Sequence, residues 1–202
     1  MPFDPTRAPV VFGEALFDCF PDVAEVLGGA PFNVAWHLAS FGAGPVFVSR
    51  VGEDALGARI EAAMQQQGMT TLGLQHDPQH PTGRVKVTLA GGEPSYDIVA
   101  GSAYDFIDAA ALPTRPGGEL LYHGTLALRK AGSAAALKRL REDTDAVFLD
   151  VNLRPPWWSE AQVQALLDAA RWVKLNEDEL ARLAPAGDSP ESHAAALIER
   201  HG

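Results

Sequence analysis

The residues with the clearest chemical potential surround a pair of glycines near the N-terminus. Gly28 and Gly29 have no side chains, so a ligand can approach their backbone closely. Pro31 then begins a helix, whose first N–H groups lack partners within the helix and point toward that approach. Asn33 follows in the first turn, with an amide that donates to and accepts from hydroxyl groups. This spacing predicts a site for a hydroxyl-bearing ligand; the alternative is a tight turn that only starts the helix.

A second candidate is Asp18, in the run Gly13-Glu14-Ala15-Leu16-Phe17-Asp18 that follows a short apolar strand. Open α/β sheets bind ligands at the carboxyl ends of their strands, where this run is expected to lie. A carboxylate can accept hydrogen bonds from two neighbouring hydroxyls. We therefore expect Asp18 to bind the same ligand, the alternative being a solvated loop acid.

A third group directly follows another apolar strand. Asp150, Asn152 and Arg154 stand at alternate positions, ahead of Pro155-Pro156-Trp157-Trp158. Alternate side chains of an extended segment point the same way, so these three are predicted to face one region. The planar cation of Arg154 suits phosphate or carboxylate oxygens. The alternative is a structural Asp–Arg pair beside a Trp-rich turn.

The fourth group is Lys174-Leu175-Asn176-Glu177-Asp178-Glu179. Asn176 and Glu179 are three residues apart, so they share one face of a helix. Acidic residues in a first turn commonly compensate the helix dipole or cap the helix, which is the plain alternative to a binding role.

The elements that must position these groups alternate along the chain. We predict strands at 9–13, 46–51, 120–122, 146–149 and 172–175, the last three as interior strands, and helices at 33–41, 54–67, 133–141, 159–171 and 176–183. Ser133 and Ser159 are the N-cap candidates of two of these helices. The alternation predicts an α/β fold of three layers, a mostly parallel sheet with helices on both faces. We expect this fold to bring Asp18, Asn33 and Arg154 to one pocket.

Residues 84–99 do not follow this alternation of strands and helices. Polar and apolar residues alternate on both sides of Gly91-Gly92, which predicts a hairpin with one solvated face. Residues 17–26 are expected to add short strands to the same small sheet. Because such a sheet is too thin for a core of its own, we expect it to cover a cleft or to pair with another subunit.

The spacing of the glycine element, with Gly42 and Gly52 behind it, resembles the N-terminal signature of the ribokinase-like (PfkB) carbohydrate kinases. The run ending at Asp18 and the run around Arg154 resemble those of fructokinases and 2-keto-3-deoxygluconate kinases, with Trp157 in place of the usual leucine. The resemblance implies one ribokinase-like, Rossmann-type domain over residues 1–202. A small β-sheet lid is inserted in it at about residues 15–27 and 82–103.

The resemblance also implies a function, ATP-dependent phosphorylation of a small-molecule sugar, with ATP and Mg²⁺. Asp18, Gly28, Gly29, Asn33 and Arg154 would bind the sugar, Asn176 and Glu179 would position phosphate and Mg²⁺, with Glu179 acting through metal-bound water, and Lys174 would face the nucleotide. In this family the lid often forms the dimer interface, which implies a homodimer here.

One part of the family pattern is missing from the sequence. The family's catalytic base is an aspartate in a Gly-Ala-Gly-Asp run, and nothing after Leu183 matches it. We therefore expect a C-terminally incomplete fold, no catalytic base within these 202 residues, and no sugar phosphorylation at a normal rate. Two alternatives stay open: a non-catalytic sugar-binding or regulatory module, and a nucleoside-binding relative, against which the motif around Arg154 argues.

The composition of the chain argues against two classes of binding partner, nucleic acids and membranes. The 26 acidic and 16 basic residues give a net charge of −10, without a Lys/Arg run, which argues against nucleic-acid binding. No apolar run approaches the roughly 18 residues of a membrane span, which argues against a membrane protein. The single cysteine, Cys19, fits a reducing compartment. We therefore expect a cytoplasmic protein.

Overall fold

Parallel strands build the main sheet. The computed structural model describes residues 8–21, 23–90, 93–113, 120–144, 146–185 and 187–202. Within these ranges the main sheet has six strands: β1 (Val10–Phe12), β4 (Val46–Gly52), β5 (Leu74–Asp77), β8 (Leu120–His123), β9 (Ala146–Asp150) and β10 (Trp172–Lys174). Their order is β10-β9-β8-β1-β4-β5, and every neighbouring pair is parallel. The prediction of a parallel sheet is therefore confirmed.

Helices cover both faces of this sheet. They are α1 (Ala30–Ser40), α2 (Ala55–Gln66), α3 (Ala131–Arg141), α4 (Glu160–Leu167), α5 (Glu177–Leu183) and α6 (Pro190–His201). Side chains alternate along β1, so Val11 packs with residues of α1 and α2, whereas Val10 and Phe12 pack with residues of α3 to α6. This is the predicted three-layer arrangement. None of the described helices is long and apolar enough to cross a membrane.

A second, smaller sheet lies apart from the first. Its strands are β2 (Leu16–Cys19), β3 (Val26–Gly28), β6 (Gly83–Ala90) and β7 (Glu93–Ile98), in the order β3-β2-β6-β7. β6 and β7 pair in antiparallel register, and along β6 the buried Val85 and Val87 alternate with exposed Arg84 and Lys86. This confirms the small sheet with one solvated face; the predicted turn at Gly91-Gly92 lies outside the described residues.

The helix starts were only partly predictable. Ser159 is the N-cap of α4, and its hydroxyl oxygen accepts from the N–H of Gln162. The prediction for Ser133 is wrong, because α3 begins two residues earlier, at Ala131. Ser133 is buried instead, where its hydroxyl donates to the Tyr104 carbonyl and accepts from the N–H of Ile107. A serine hydroxyl can cap a helix or form a buried tertiary hydrogen bond, and the local sequence does not distinguish the two roles.

Two strands also differ from expectation. β5 was not predicted, because Leu74-Gln75-His76-Asp77 lacks the apolar run that marks the other strands. β10 is an edge strand of the described sheet and not an interior one. Its side chains are exposed, 45% for Trp172 and 37% for Val173.

Candidate functional site

The carboxyl ends of the central strands meet the N-terminus of α1. Gly13 directly follows β1, and a Cβ at this position would lie 2.3 Å from Cγ of Pro31 in the first turn of α1. Gly124 directly follows β8, and a Cβ there would lie 3.7 Å from the same Pro31 atom and 3.9 Å from the carbonyl oxygen of Asp150. The predicted binding edge of the sheet therefore lies beside the helix that follows the paired glycines.

The paired glycines are required by close contacts within the protein. Gly29 has φ of 108°, and a Cβ there would lie 2.5 Å from the carbonyl oxygen of Glu14. A Cβ on Gly28 would lie 3.1 Å from Oδ2 of Asp18. The chain itself thus explains both glycines, and it places Asp18 directly beside Gly28.

Asp18 lies in β2, paired with Val26 of β3 and Val85 of β6. Its side chain is half-buried, and burial raises the pKa of its carboxyl group above the ordinary value. Among the described residues no N–H or O–H group donates a hydrogen bond to this carboxylate, so its burial is not offset. Donors from a ligand would supply the missing compensation.

Asn33 lies in the first turn of α1, where its N–H donates to the carbonyl oxygen of Gly29 at 2.9 Å. The side chain is exposed. The amide is therefore accessible to a ligand on the same helix end that Gly28 and Gly29 precede.

Sequence reasoning missed Glu14, the residue between Gly13 and the small sheet. Its carboxyl group is buried beside the backbone N–H groups of Glu14 itself and of Ala30, the first residue of α1, which partly offset the effect of burial on its pKa. Burial raises the pKa of Glu14 to about 7, the negative charge of Asp150 adds to the increase, and Arg129 opposes it. Oε2 of Glu14 has no hydrogen-bond partner among the described residues. An acid directly after a buried apolar strand was the available signal.

The third predicted group is held by a different network. Oδ2 of Asp150 accepts from the hydroxyl of Tyr122 at 2.6 Å, and Oδ1 accepts from Nζ of Lys174 at 2.6 Å. Burial, together with the hydrogen bond to Asp150, raises the pKa of Tyr122. Lys174 is thus paired with Asp150, although its side chain is 65% exposed. Arg154 is exposed.

Asn176 and Glu179 form a capping box at the start of α5. Oδ1 of Asn176 accepts from the N–H of Glu179 at 2.8 Å, and Oε2 of Glu179 accepts from the N–H of Asn176 at 3.0 Å. Oε1 of Glu179 accepts from the N–H of Leu153 at 2.8 Å, which attaches the loop of Arg154 to this helix. The capping alternative therefore describes the contacts of both residues within the protein.

The predicted residues fall into two groups. Asp18, Gly28, Gly29 and Asn33 lie together between the small sheet and α1, whereas Lys174, Asn176, Glu179 and the Arg154 loop lie together after β9 and β10. The described residues show no hydrogen bond or ion pair that joins the two groups.

The part of the chain that the structure describes contains no cluster of three or more acidic, histidine or cysteine side chains that could hold a metal ion.

Comparison with known proteins gives a consistent picture. The model of the family described as "pfkB family carbohydrate kinase" matches residues 11–201. A fructokinase from Salmonella typhimurium is 31% identical over 193 residues, which cover 88% of this chain and 63% of that protein. A fructokinase from Escherichia coli is 31% identical over 84% of this chain and 60% of its own length. The chain thus spans about six-tenths of the length of these curated relatives.

Solved structures with a similar fold also include fructokinases. The apo structure of fructokinase from Vibrio cholerae O395 aligns with a TM-score of 0.84 and 29% identity, over 96% of this chain and 72% of that chain. A structure of fructokinase from the same organism with fructose, ADP and a calcium ion bound aligns with a TM-score of 0.82 and 27% identity, over 98% and 68% of the two chains.

Proposed function

The chain belongs to the pfkB family of carbohydrate kinases, and from that premise we propose that it provides the sugar-binding part of an ATP-dependent, fructokinase-like sugar kinase. Fructose is the first candidate substrate, since a relative of the same fold has been solved with fructose and ADP bound. The alternative of a nucleoside-binding relative has no comparable support.

The observation that carries the proposal is the placement of Asp18. Its half-buried carboxyl group lies beside Gly28, without protein donors to compensate its burial, next to the helix end that exposes Asn33. Two neighbouring sugar hydroxyls would donate to the carboxylate, and the Asn33 amide would bind a third. Arg154, on the loop after β9, would close the pocket from the other side with its planar cation.

Phosphoryl transfer to a sugar requires a positioned hydroxyl, a base for its proton and stabilisation of the charge on the phosphoryl group. The residues of this chain serve mainly the first requirement, the positioned hydroxyl, and in part the third. We propose that Lys174 approaches the nucleotide by exchanging its contact with Asp150, and that Asn176 and Glu179 lie near the transferred phosphate. ATP, when bound, supplies the phosphoryl group.

The described residues do not form a complete magnesium site. Glu179 is the candidate carboxylate, but both its oxygens already accept backbone N–H groups. Its remaining lone pairs suit a hydrogen bond to a metal-bound water better than direct ligation. We therefore assign to Glu179 only this indirect role.

We propose that these 202 residues bind sugar without rapid turnover, because their sequence contains no Gly-Ala-Gly-Asp run to supply the base. A non-catalytic sugar-binding or regulatory module is the second candidate, and the same observation favours it. The two candidates differ in nucleotide binding: the kinase part retains some affinity for ATP, whereas the module binds sugar alone.

We further propose a cytoplasmic homodimer that forms through the small sheet. Val26 and Tyr96, in β3 and β7, expose 49% and 60% of their surface. Apolar side chains at the edges of a thin sheet are typical of a surface that a second subunit covers.

Calorimetric titration of the purified chain with fructose, Mg-ATP and adenosine tests the proposal, together with an assay of fructose-dependent ADP release. We expect heat from fructose, none from adenosine, and negligible ADP release. Absence of fructose binding would overturn the sugar assignment. Robust ADP release would overturn the proposal that these 202 residues lack the catalytic base and turn over slowly.

A further inference from the structure

A buried arginine joins the two sides of the proposed sugar site. Arg129 ends the 3-10 turn Leu126–Arg129, which follows β8, and its side chain is only 3% exposed. The guanidinium group forms a two-pronged pair with the fully buried Asp105, from Nε to Oδ1 and from Nη2 to Oδ2. The pair neutralises both charges, which is the condition for burying them.

The same guanidinium binds the exit of the small sheet. Nη2 donates to the carbonyl oxygen of Val99, the residue directly after β7, at 2.8 Å and contacts the hydroxyl of Tyr104 at 3.0 Å. Oδ2 of Asp105 in turn accepts from the N–H of Gly101 at 3.0 Å. The segment that leaves the small sheet is therefore folded around Arg129.

On its other side Arg129 contacts the loop that follows β9. Its Cζ lies 4.7 Å from the centre of the Trp157 ring, a cation–π geometry. The backbone N–H of Trp157 donates to the backbone carbonyl oxygen of Arg154 at 2.7 Å, so one turn of the chain carries both residues.

We infer that Arg129 is a positioning residue for sugar binding, which holds the loop of Arg154 at a fixed distance from the small sheet of Asp18. This inference rests on the proposed function. A lysine would retain the charge opposite Asp105, but it lacks the fork that reaches Val99 and Asp105 together and the plane that stacks on Trp157. Nη1 of Arg129 is buried without a partner among the described residues, so the fold gains no hydrogen bond from that donor.

The test is the fructose affinity of the full chain, measured by calorimetry for wild type, R129K, W157A and the double variant R129K/W157A. We expect the dissociation constant to rise about 10-fold in each single variant. The double variant should bind fructose only slightly more weakly than either single variant, because both substitutions break the same contact between Arg129 and Trp157. W157F, which keeps an aromatic ring, should restore most of the affinity.

R182K is the matched control. Arg182 stacks on the neighbouring Trp158, with Cζ 6.0 Å from the ring centre, but it lies exposed on α5. Its substitution should leave fructose affinity within about twofold, as expected for a surface cation. Thermal melting shows whether R129K is folded, and W157A tests the same coupling with the Arg129–Asp105 pair intact.

The outcomes separate the two claims. A wild-type chain that does not bind fructose would overturn the proposed function and this inference with it. Suppose instead that the wild-type chain binds fructose. Unchanged affinity in W157A, or W157F binding as weakly as W157A, would then overturn the role of Arg129 alone.

Discussion

The two regions of the proposed site are built in opposite ways. Around β1, α1 and the small sheet, buried groups are crowded and partly uncompensated: Oε2 of Glu14 has no partner among the described residues, and the burial of Asp18 is not offset. After β9 and β10 the polar groups are more exposed and satisfied by one another, as in the capping box of Asn176 and Glu179. A region that retains unmet hydrogen-bonding capacity is better prepared to bind a ligand than one whose groups are already paired.

The largest expected effect tests the crowding of the first region. Gly29 and Gly42 both have positive φ, 108° and 77°, but a Cβ meets backbone only at position 29; at position 42 nothing lies within 4 Å. We expect G29A to reduce the free energy of unfolding by about 3 kcal/mol or more, and G42A by about 1 kcal/mol. Urea denaturation measures both, and equal losses would show that φ alone, and not crowding, requires Gly29.

The second prediction uses the buried acid of the same region. The pKa of Glu14 is raised in the folded protein to about 7, so the folded state binds a proton more tightly than the unfolded state. Its contribution to stability is fully present below the ordinary carboxyl pKa of 4.5 and is lost as the pH rises from there through about 7. The buried His123, whose pKa burial lowers to about 4, acts in the opposite direction in wild type and variant alike.

The difference between E14Q and wild type therefore isolates Glu14. Glutamine retains an oxygen that can accept from Ala30, but it does not ionise. We expect the stability of E14Q relative to wild type to increase by about 2 kcal/mol between pH 5 and pH 8. Urea denaturation at both pH values measures this increase, and a difference that does not change with pH would show that Glu14 titrates normally.

The smallest effect is expected in the second region. Lys174 is mostly exposed, and Asp150 keeps its bond to the Tyr122 hydroxyl when the lysine is removed. We expect K174M to change the free energy of unfolding by less than about 1 kcal/mol, close to R139M, which breaks the exposed pair of Arg139 with Asp143 just after α3. Thermal unfolding compares the two, and a much larger loss in K174M would mean that both regions are equally constrained.

The sequence was most informative where function and local geometry coincide. Gly28 and Gly29 mark a close approach, and the alternation around Val85 and Val87 marks the small sheet, so both could be predicted from neighbouring residues. Arg129 could not, because its contacts with Asp105 and Val99 join segments 24 and 30 residues away along the chain. Glu14 was visible in the sequence, but its burial depends on how the end of α1 packs on β1.

The central claim is that Asp18 binds a sugar, and the fructose affinity of D18N measured beside that of D97N tests it most directly. Asp97 lies exposed in the same small sheet, so D97N removes an equal charge without touching the site. We predict at least about 10-fold weaker fructose binding for D18N, as expected for the loss of a charged hydrogen-bond acceptor, and an unchanged affinity for D97N. Equal affinities of the two variants for fructose would contradict the account.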